Sequence, residues 1–211
     1  LAFTNTDNDT SGFTVSAITG NTTEAGGSAT FTIVLNAQPT ANVTVGLSSS
    51  DATEGTVSPA SVTFTSANWN VAQTVTATGV DDVIIDGTVA YSIVTGAASS
   101  TDLNYSGMAV ADVAVSNTDN DTAGITVSAI SGNTTEAGGT ATFTIVLTSQ
   151  PTANVTVGLS SNDLTEGTVG PASVTFTNAN WNVAQTVTVT GVDDFLDDGN
   201  IAYSIVTAAA T

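Results

Sequence analysis

The chain of 211 residues contains 19 Asp and Glu residues and no Lys, Arg or His, which gives a formal net charge of -19. Nucleic-acid binding requires Lys and Arg opposite the phosphates, so that function is excluded, and anionic membrane surfaces are disfavoured for the same reason. No apolar run approaches the roughly 20 residues of a membrane-spanning helix, and the absence of Cys rules out stabilisation by disulfides.

A long internal repeat organises the chain. Residues 1–99 match residues 113–211 at 78 of 99 positions when they are aligned at an offset of 112. A period of this length indicates whole domains in tandem and not a solenoid of short units. We therefore expect the last-strand tail of a preceding repeat at 1–9, a first repeat at 10–121, and a second at 122–211 that lacks its final strand. This phase predicts either a window from a longer array or a subunit that is completed by its neighbour.

Each repeat is predicted to be all-β. Runs rich in Val, Ile, Thr and Phe alternate with clusters of Gly, Pro, Asn, Asp and Ser, and no segment shows convincing helical periodicity. Seven strands, named A to G in order, are expected in the first repeat: Phe13–Ile18, Ala29–Asn36, Asn42–Ser49, Ser61–Thr65, Gln73–Val80, Val89–Thr95 and Ala109–Ser116. Seven short strands in one repeat fit a Greek-key, immunoglobulin-like β-sandwich. The predicted fold is thus two tandem seven-stranded sandwiches, the second without its last strand.

The two tryptophans occupy the same place in the two repeats. Trp69 and Trp181 each lie in the sequence Asn-Trp-Asn-Val-Ala-Gln between two predicted strands. An aromatic side chain there can bind a ligand, but the simpler interpretation is a hydrophobic plug that closes one end of the sandwich.

The acidic residues are predicted to gather at one end of each sandwich. When strands A to G run alternately up and down, loops A–B, C–D and E–F and the end of G share one pole. The acids placed there in the first repeat are Glu24, Asp51, Glu54, Asp81, Asp82, Asp86, Asp119 and Asp121. Those of the second repeat are Glu136, Asp163, Glu166, Asp193, Asp194, Asp197 and Asp198. With Asp7 and Asp9 of the preceding tail, this set includes 17 of the 19 acids and leaves out only Asp102 and Asp112.

Crowded carboxylates in a chain without basic residues predict cation binding. A like-charged pair about 4 Å apart costs about 4 kcal/mol at an effective dielectric constant of about 20. The pole must therefore take up protons or bind cations. Ca²⁺ accepts six to eight oxygen ligands in flexible geometry, whereas Mg²⁺ demands an octahedron, and Zn²⁺ and copper favour the missing His and Cys. The alternative is a solvated acidic surface, but that would scatter acids along the strands, where Thr, Ser and Asn stand instead.

Single motifs have simpler interpretations. The segment Asp119–Asp121 can be a turn held by Asx side-chain bonds, and so can the segment Asp51–Gly55. A Glu directly before a loop Gly can simply face solvent, which applies to Glu54 and Glu166. The joint placement of all these acids, repeated twice, is what favours a metal site.

Several of these motifs together resemble the Calx-β domain. They are Glu24-Ala25-Gly26-Gly27 after the first strand, Gly55-Thr56-Val57 before Val62-Thr63-Phe64, and Gln73-Thr74-Val75-Thr76 leading to Asp81-Asp82. This module occurs in sodium–calcium exchangers and, in tandem arrays, in large bacterial surface and secreted proteins, and the Thr-rich surface without Lys or Arg is similar to the bacterial members. The resemblance implies a seven-stranded sandwich that holds Ca²⁺ at one pole through acids of the A–B, C–D and E–F loops and of the segment after strand G.

The hypothesis that follows is a Ca²⁺-binding structural repeat of a rigid extracellular rod in a bacterial adhesin or surface protein. Its expected partners are neighbouring repeats of the same chain or subunits of the same protein. Ca²⁺ at Asp119 and Asp121 is expected to stiffen the joint between two consecutive repeats. An alternative is a subunit of a self-assembling extracellular fibre in which neighbours complete one another by strand exchange. An enzyme using two carboxylates is disfavoured, because the acids stand in equivalent loops of two nearly identical repeats.

Overall fold

The computed structural model describes all 211 residues, Leu1–Thr211, as an all-β chain. By contacts the chain divides into two compact units. Unit 1 comprises Leu1–Asp82 and Asp86–Asn120, and unit 2 comprises Val83–Ile85 and Asp121–Thr211. The repeat boundaries predicted from sequence identity rest on a different criterion and stay predictions. No helix in the structure is long and apolar enough to cross a membrane.

Unit 1 contains nine strands. They are β1 (Phe13–Val15), β2 (Thr22–Thr23), β3 (Ser28–Leu35), β4 (Val43–Ser49), β5 (Gly55–Ser58), β6 (Ser61–Phe64), β7 (Gln73–Gly79), β8 (Val89–Thr95) and β9 (Val113–Thr118). One sheet has the order β1-β3-β7-β5 and the other the order β2-β9-β8-β4-β6. All pairs are antiparallel except β2 with β9, which is parallel.

The alternation of side chains along the strands builds the core of unit 1. In β3 every second residue is buried, and Phe31, Ile33 and Leu35 all face inward, as the sequence predicts. They pack with residues of the opposite sheet such as Val45 and Ile93 in one hydrophobic cluster. Because successive strand residues point to opposite faces, one face of each sheet forms the core and the other carries Thr and Ser.

The structure adds two short strands to the seven expected. β2 and β5 lie in segments that look like polar loops, because their Thr, Gly and Ser residues give no apolar alternation. β5 joins β7, while β2 joins β9 across 95 residues of sequence, with Thr22 opposite Asn117. The partner of β2 cannot be inferred from local sequence, since pairing across such a distance depends on the closed sandwich.

Unit 2 contains seven strands. They are β10 (Ile125–Val127), β11 (Thr140–Leu147), β12 (Val155–Ser161), β13 (Gly167–Gly170), β14 (Ser173–Phe176), β15 (Gln185–Gly191) and β16 (Ile205–Thr207). Its sheets have the orders β10-β11-β15-β13 and β14-β12-β16. The second sheet has no counterpart of β2 or β9, so β16 is an edge strand, whereas its counterpart β8 lies between β4 and β9.

The tryptophans cover the cores of their own units. Trp69 is partly buried against the cluster of unit 1, and its carbonyl accepts the amide of Leu35 at 3.1 Å. Trp181 does the same in unit 2 with Leu147. This packing supports the interpretation of a hydrophobic plug.

Candidate metal centre

The loops at one end of unit 1 bring acids together. Glu24 follows β2, Glu54 precedes β5, Asp82 and Asp86 lie between β7 and β8, and Asp119 follows β9. Because β2 and β9 run parallel, the residues after each of them, Glu24 and Asp119, leave the sheet side by side.

Three of these acids form one tight group. Glu54, Asp82 and Asp86 each offer a carboxylate oxygen, and these oxygens all lie within 4.8 Å of one another. Glu54 is only 6% exposed, and its Oε2 atom is buried without a hydrogen-bond partner. A buried carboxylate oxygen without a hydrogen-bond donor is energetically costly. The Oε2 atom of Glu54 therefore calls for a positively charged partner, and the protein itself does not supply one.

The backbone explains why Glu54 is buried. The amide of Val80 donates to the Glu54 carbonyl at 3.0 Å, and the amide of Gly55 donates to the Asp51 carbonyl at 3.1 Å. A Cβ atom at Gly55 would collide with the ring of Tyr91, so only Gly lets this backbone lie against the core. The Glu-Gly pair thus turns the carboxylate inward, and the alternative that it simply faces solvent does not hold for Glu54.

The surroundings of this group favour the protonated, uncharged form of its carboxyls. Burial raises the pKa of Glu54, the nearby polar side chain of Asn117 opposes the rise, and repulsion from Asp86, Asp51 and Asp82 adds to it. Burial also raises the pKa of Asp86, together with repulsion from Asp82 and Asp119. Without a cation these carboxyls therefore hold protons more tightly than free ones do.

Glu24 is the second buried acid of unit 1. It is 2% exposed, and its Oε2 atom accepts the Asn120 amide at 3.0 Å. Burial raises its pKa, and repulsion from Asp119 and Asp82 adds to the effect, while the bond from Asn120 lowers it. Asp119 in turn accepts the amide of Gly87 at 2.9 Å.

Two asparagines hold the acidic loops in place. The amide of Asn117, 1% exposed, donates to the Val80 carbonyl at 3.0 Å and accepts the Thr22 hydroxyl at 3.0 Å. Asn120, which stands between two acids in the sequence, donates its side-chain amide to Asp81 at 3.1 Å. Neither asparagine is among the site residues predicted from the sequence. The exact return of Asn-Thr-Asp-Asn-Asp at residues 5–9 and 117–121 is the signal that could have singled them out.

Unit 2 repeats the tight group around Glu54 but not the second buried acid, Glu24. Glu166, Asp194 and Asp198 offer carboxylate oxygens within 4.8 Å of one another, at positions 112 residues after Glu54, Asp82 and Asp86. Burial raises the pKa of Glu166, with repulsion from Asp198, Asp163, Asp194 and Glu136. Glu136, the counterpart of the buried Glu24, is exposed.

The remaining predicted site residues lie outside the two tight groups. The Oδ1 atoms of Asp51 and Asp163 accept the hydroxyls and the amides of Thr53 and Thr165, which lowers the pKa of both acids and supports the turn interpretation. Asp81, Asp193 and Asp197 are exposed, and Asp121, half-buried, begins unit 2. Asp7 and Asp9 are exposed, and Asp7 accepts the Asp9 amide.

The two acids left out of the predicted pole have structural partners. Asp102 is 5% exposed and accepts the amides of Thr40 and Asn104 at 2.7 and 3.0 Å, which lowers its pKa. Asp112 accepts the amide of Thr95 at 2.7 Å. Both carboxylates fix loops by ordinary hydrogen bonds.

The donor set defines what this centre can do. Its groups are carboxylates, with no imidazole, thiol or basic side chain anywhere in the chain. Oxygen donors in flexible loops suit a hard divalent cation, and the buried Oε2 atom of Glu54 is an oxygen that such a cation would satisfy.

No family model matches the chain, and no curated protein matches it. Among solved structures, the chain is similar to the calcium binding domain CBD12 of CALX1.1, at 16% identity and a TM-score of 0.39, covering 90% of this chain and 78% of that one. CBD12 from CALX1.2 matches at 14% identity and 0.37, covering 93% and 80%. A marsupial T cell receptor matches at 11% and 0.25, covering 95% and 72%. These scores are low, so fold and site rest on the contacts described above.

Proposed function

We propose that the chain is a Ca²⁺-binding structural repeat. The observation that carries the proposal is the buried Oε2 atom of Glu54, which has no hydrogen-bond partner and lies in a group with Asp82 and Asp86. A bound cation would compensate this oxygen and the repulsion among the three carboxylates. The recurrence of the same three acids in unit 2 supports a selected site over a chance cluster.

Ca²⁺ is the cation that best suits these ligands. The acids lie in loops, where neighbouring carbonyls and water complete a shell of six to eight oxygens, and Ca²⁺ tolerates irregular geometry. Mg²⁺ requires a near-ideal octahedron, while Zn²⁺ prefers nitrogen and sulfur ligands that the chain lacks. The order of the acidic loops, which resembles that of the Calx-β domain, favours the same ion.

The biological setting that we propose is a rigid extracellular rod in a bacterial adhesin or surface protein. Tandem repeats at 78 of 99 identical positions suit a spacer, because neither repeat carries a distinctive insertion for recognition. Neighbouring repeats or copies of the same protein would be its partners. No enzymatic activity is proposed, since the acids stand in equivalent loops of both units.

Ca²⁺ addition to metal-free protein tests this function. We expect Ca²⁺ to raise the melting temperature and a chelator to reverse the change, because a ligand at about 100 times its Kd stabilises by about 2.7 kcal/mol per site. Calorimetric titration should show that Glu54→Gln weakens binding in unit 1 by about tenfold or more, through loss of a charged ligand.

The matched control is Asp112→Asn, which removes one negative charge outside the tight group and keeps an acceptor for Thr95. Its Ca²⁺ affinity should equal that of the unchanged chain. A melting curve and a scattering-derived length that do not respond to chelator would contradict the proposed function.

A further inference from the structure

Each tight group of acids contains an Asp that is followed directly by a Gly. Asp86 precedes Gly87 in unit 1, and Asp198, its counterpart in unit 2, precedes Gly199. No other Asp in the chain precedes a Gly. One acid of each group therefore has a backbone neighbour without a side chain, and the amide nitrogen of that neighbour is the closest nucleophile along the chain to its carboxyl carbon.

The backbone at Gly87 is open, and its amide is in contact with a base. Gly87 is exposed and has a φ angle of 78°, which side chains rarely adopt, and a Cβ atom there would meet no atom within 4 Å. Its amide donates to the Oδ2 atom of Asp119 at 2.9 Å. A carboxylate that accepts this hydrogen bond is placed to take the amide proton when the nitrogen reacts.

We propose that Asp86-Gly87 is a self-modifying site, at which the Gly87 amide nitrogen closes onto the Asp86 carboxyl carbon to form a cyclic imide, with Asp119 as the base. The two reacting groups belong to adjacent residues, so they meet without loss of translational freedom. Gly offers the least steric resistance to this ring closure, and Asp119 supplies the acceptor for the proton.

The reaction needs no partner except solvent water. The bond from the Gly87 nitrogen to the Asp86 carboxyl carbon forms, the amide proton passes to Asp119, and the carboxyl hydroxyl leaves with that proton as water. Water then opens the imide at one of its two carbonyl carbons. Opening at the former side-chain carbon restores Asp86, whereas opening at the main-chain carbon produces isoaspartate, in which the main chain runs through the former side chain. Nothing is oxidised or reduced.

Isoaspartate at this position would disable the tight group around Glu54. Its carboxylate is attached one carbon closer to the main chain, so it no longer meets the oxygens of Glu54 and Asp82. A cation that ligates the Asp86 carboxylate prevents the reaction, because the bound oxygen cannot leave as water. This protection rests on the proposed function, whereas the covalent step does not. A period without cation would thus leave a permanent loss of affinity in unit 1.

Incubation of the full chain in water enriched in the heavy isotope of oxygen measures the reaction, because each imide that opens takes up one solvent oxygen. Peptide mass spectrometry after cleavage beside aromatic residues locates the label and distinguishes isoaspartate from Asp. With chelator we expect both label and isoaspartate at residue 86. At Ca²⁺ about 100 times its Kd, about one hundredth of the sites are empty, so the rate should fall about a hundredfold. No label at residue 86 with chelator overturns the proposal.

Calorimetric titration of the same protein separates the two proposals. Equal rates with and without Ca²⁺, in protein that binds the ion, overturn the protection and leave the proposed function intact. If no Ca²⁺ binds, the proposed function fails, and the covalent step is decided by the label at residue 86 and by the variant at Asp119.

Asp119→Asn tests the base. Asn keeps an acceptor for the Gly87 amide but cannot take its proton, so the reaction at Asp86 with chelator should slow by about tenfold or more. Asp198 in the same molecule is the internal reference, and its rate should not change. Asp112→Asn, which also removes one charge, is the matched control and should react as the unchanged chain does. An unchanged rate at Asp86, or an equal fall at Asp86 and Asp198, would overturn the assignment of Asp119 and with it the proposal.

Discussion

Units 1 and 2 have nearly the same sequence, yet they bury their acids differently. Glu24 is 2% exposed in unit 1, while Glu136, at the same place in the repeat, is exposed in unit 2. The flanking residues Thr-Thr-Glu-Ala-Gly-Gly are identical. The difference therefore comes from β9 and the residues after it, whose backbone pairs with β2 and donates an amide to Glu24.

The group around Glu54 behaves in the opposite way. Its three acids and their counterparts around Glu166 come together in both units, with or without a strand equivalent to β9. The comparison teaches that the acidic end has two parts. One part, the group around Glu54, lies in loops beside strands that both units contain. The other part, the buried Glu24, occurs only in unit 1, where β9 pairs with β2.

The largest effect is expected from Asn117→Ala. The buried amide bonds to Thr22 and Val80, and its loss leaves both without that partner, at a cost of about 2 to 3 kcal/mol. Unit 1 should then unfold at a lower denaturant concentration than it does in the unchanged chain. Denaturant unfolding of single-tryptophan forms, in which Trp69 reports unit 1 and Trp181 reports unit 2, measures this change.

Asn5→Ala is the control for that variant, because the same residue type stands in the same motif but is exposed. At concentrations where the chain is monomeric it should change stability by less than about 0.5 kcal/mol. Similar losses from the two substitutions would show that the network around Asn117 is unimportant.

A smaller effect is expected from pH in metal-free buffer. A carboxyl whose pKa is raised by folding stabilises the fold below its unfolded pKa, and that contribution is lost as pH rises through the folded pKa. Unit 1 has three such acids, Glu24, Glu54 and Asp86, and unit 2 has Glu166. As pH rises above their unfolded values of 4.5 for Glu and 3.8 for Asp, both units should lose stability, unit 1 more than unit 2.

The acids with lowered pKa do not disturb this test. Asp51, Asp102 and Asp163 contribute stability that is lost only as pH falls below their unfolded value of 3.8, outside that range. Melting curves at several pH values check the prediction. Stability that rises from pH 5 to pH 7 in either unit would contradict it, and saturating Ca²⁺ should flatten the slope in both.

The smallest effects are expected at the exposed turns. Asp51→Ala and Asp163→Ala remove the acceptor for a Thr amide and hydroxyl in each unit, which should slightly lower the stability of the two units by equal amounts. The same unfolding assay measures both. A loss in unit 1 that clearly exceeds the loss in unit 2 would mean that Asp51 contributes to the group around Glu54 beyond its turn.

The sequence by itself determined the repeat, the alternating strands and the crowding of acids in loops at one end. These features are readable because they are periodic and local, as in β3, where every second residue is apolar. It also indicated Glu24, Asp82 and Asp86 as members of one acidic end. It did not rank the acids, because Asp51 and Glu54 are three residues apart in one loop and look equivalent.

Only the tertiary structure decided which acids are buried and which strands pair with one another. Glu54 is buried because Gly55 lies against Tyr91, and Glu24 is buried because β2 pairs with β9. The residues that make each contact are far apart in the sequence, and no local pattern carries information about them. Burial, and with it the pKa of each carboxyl, is therefore a property of the assembled sheets.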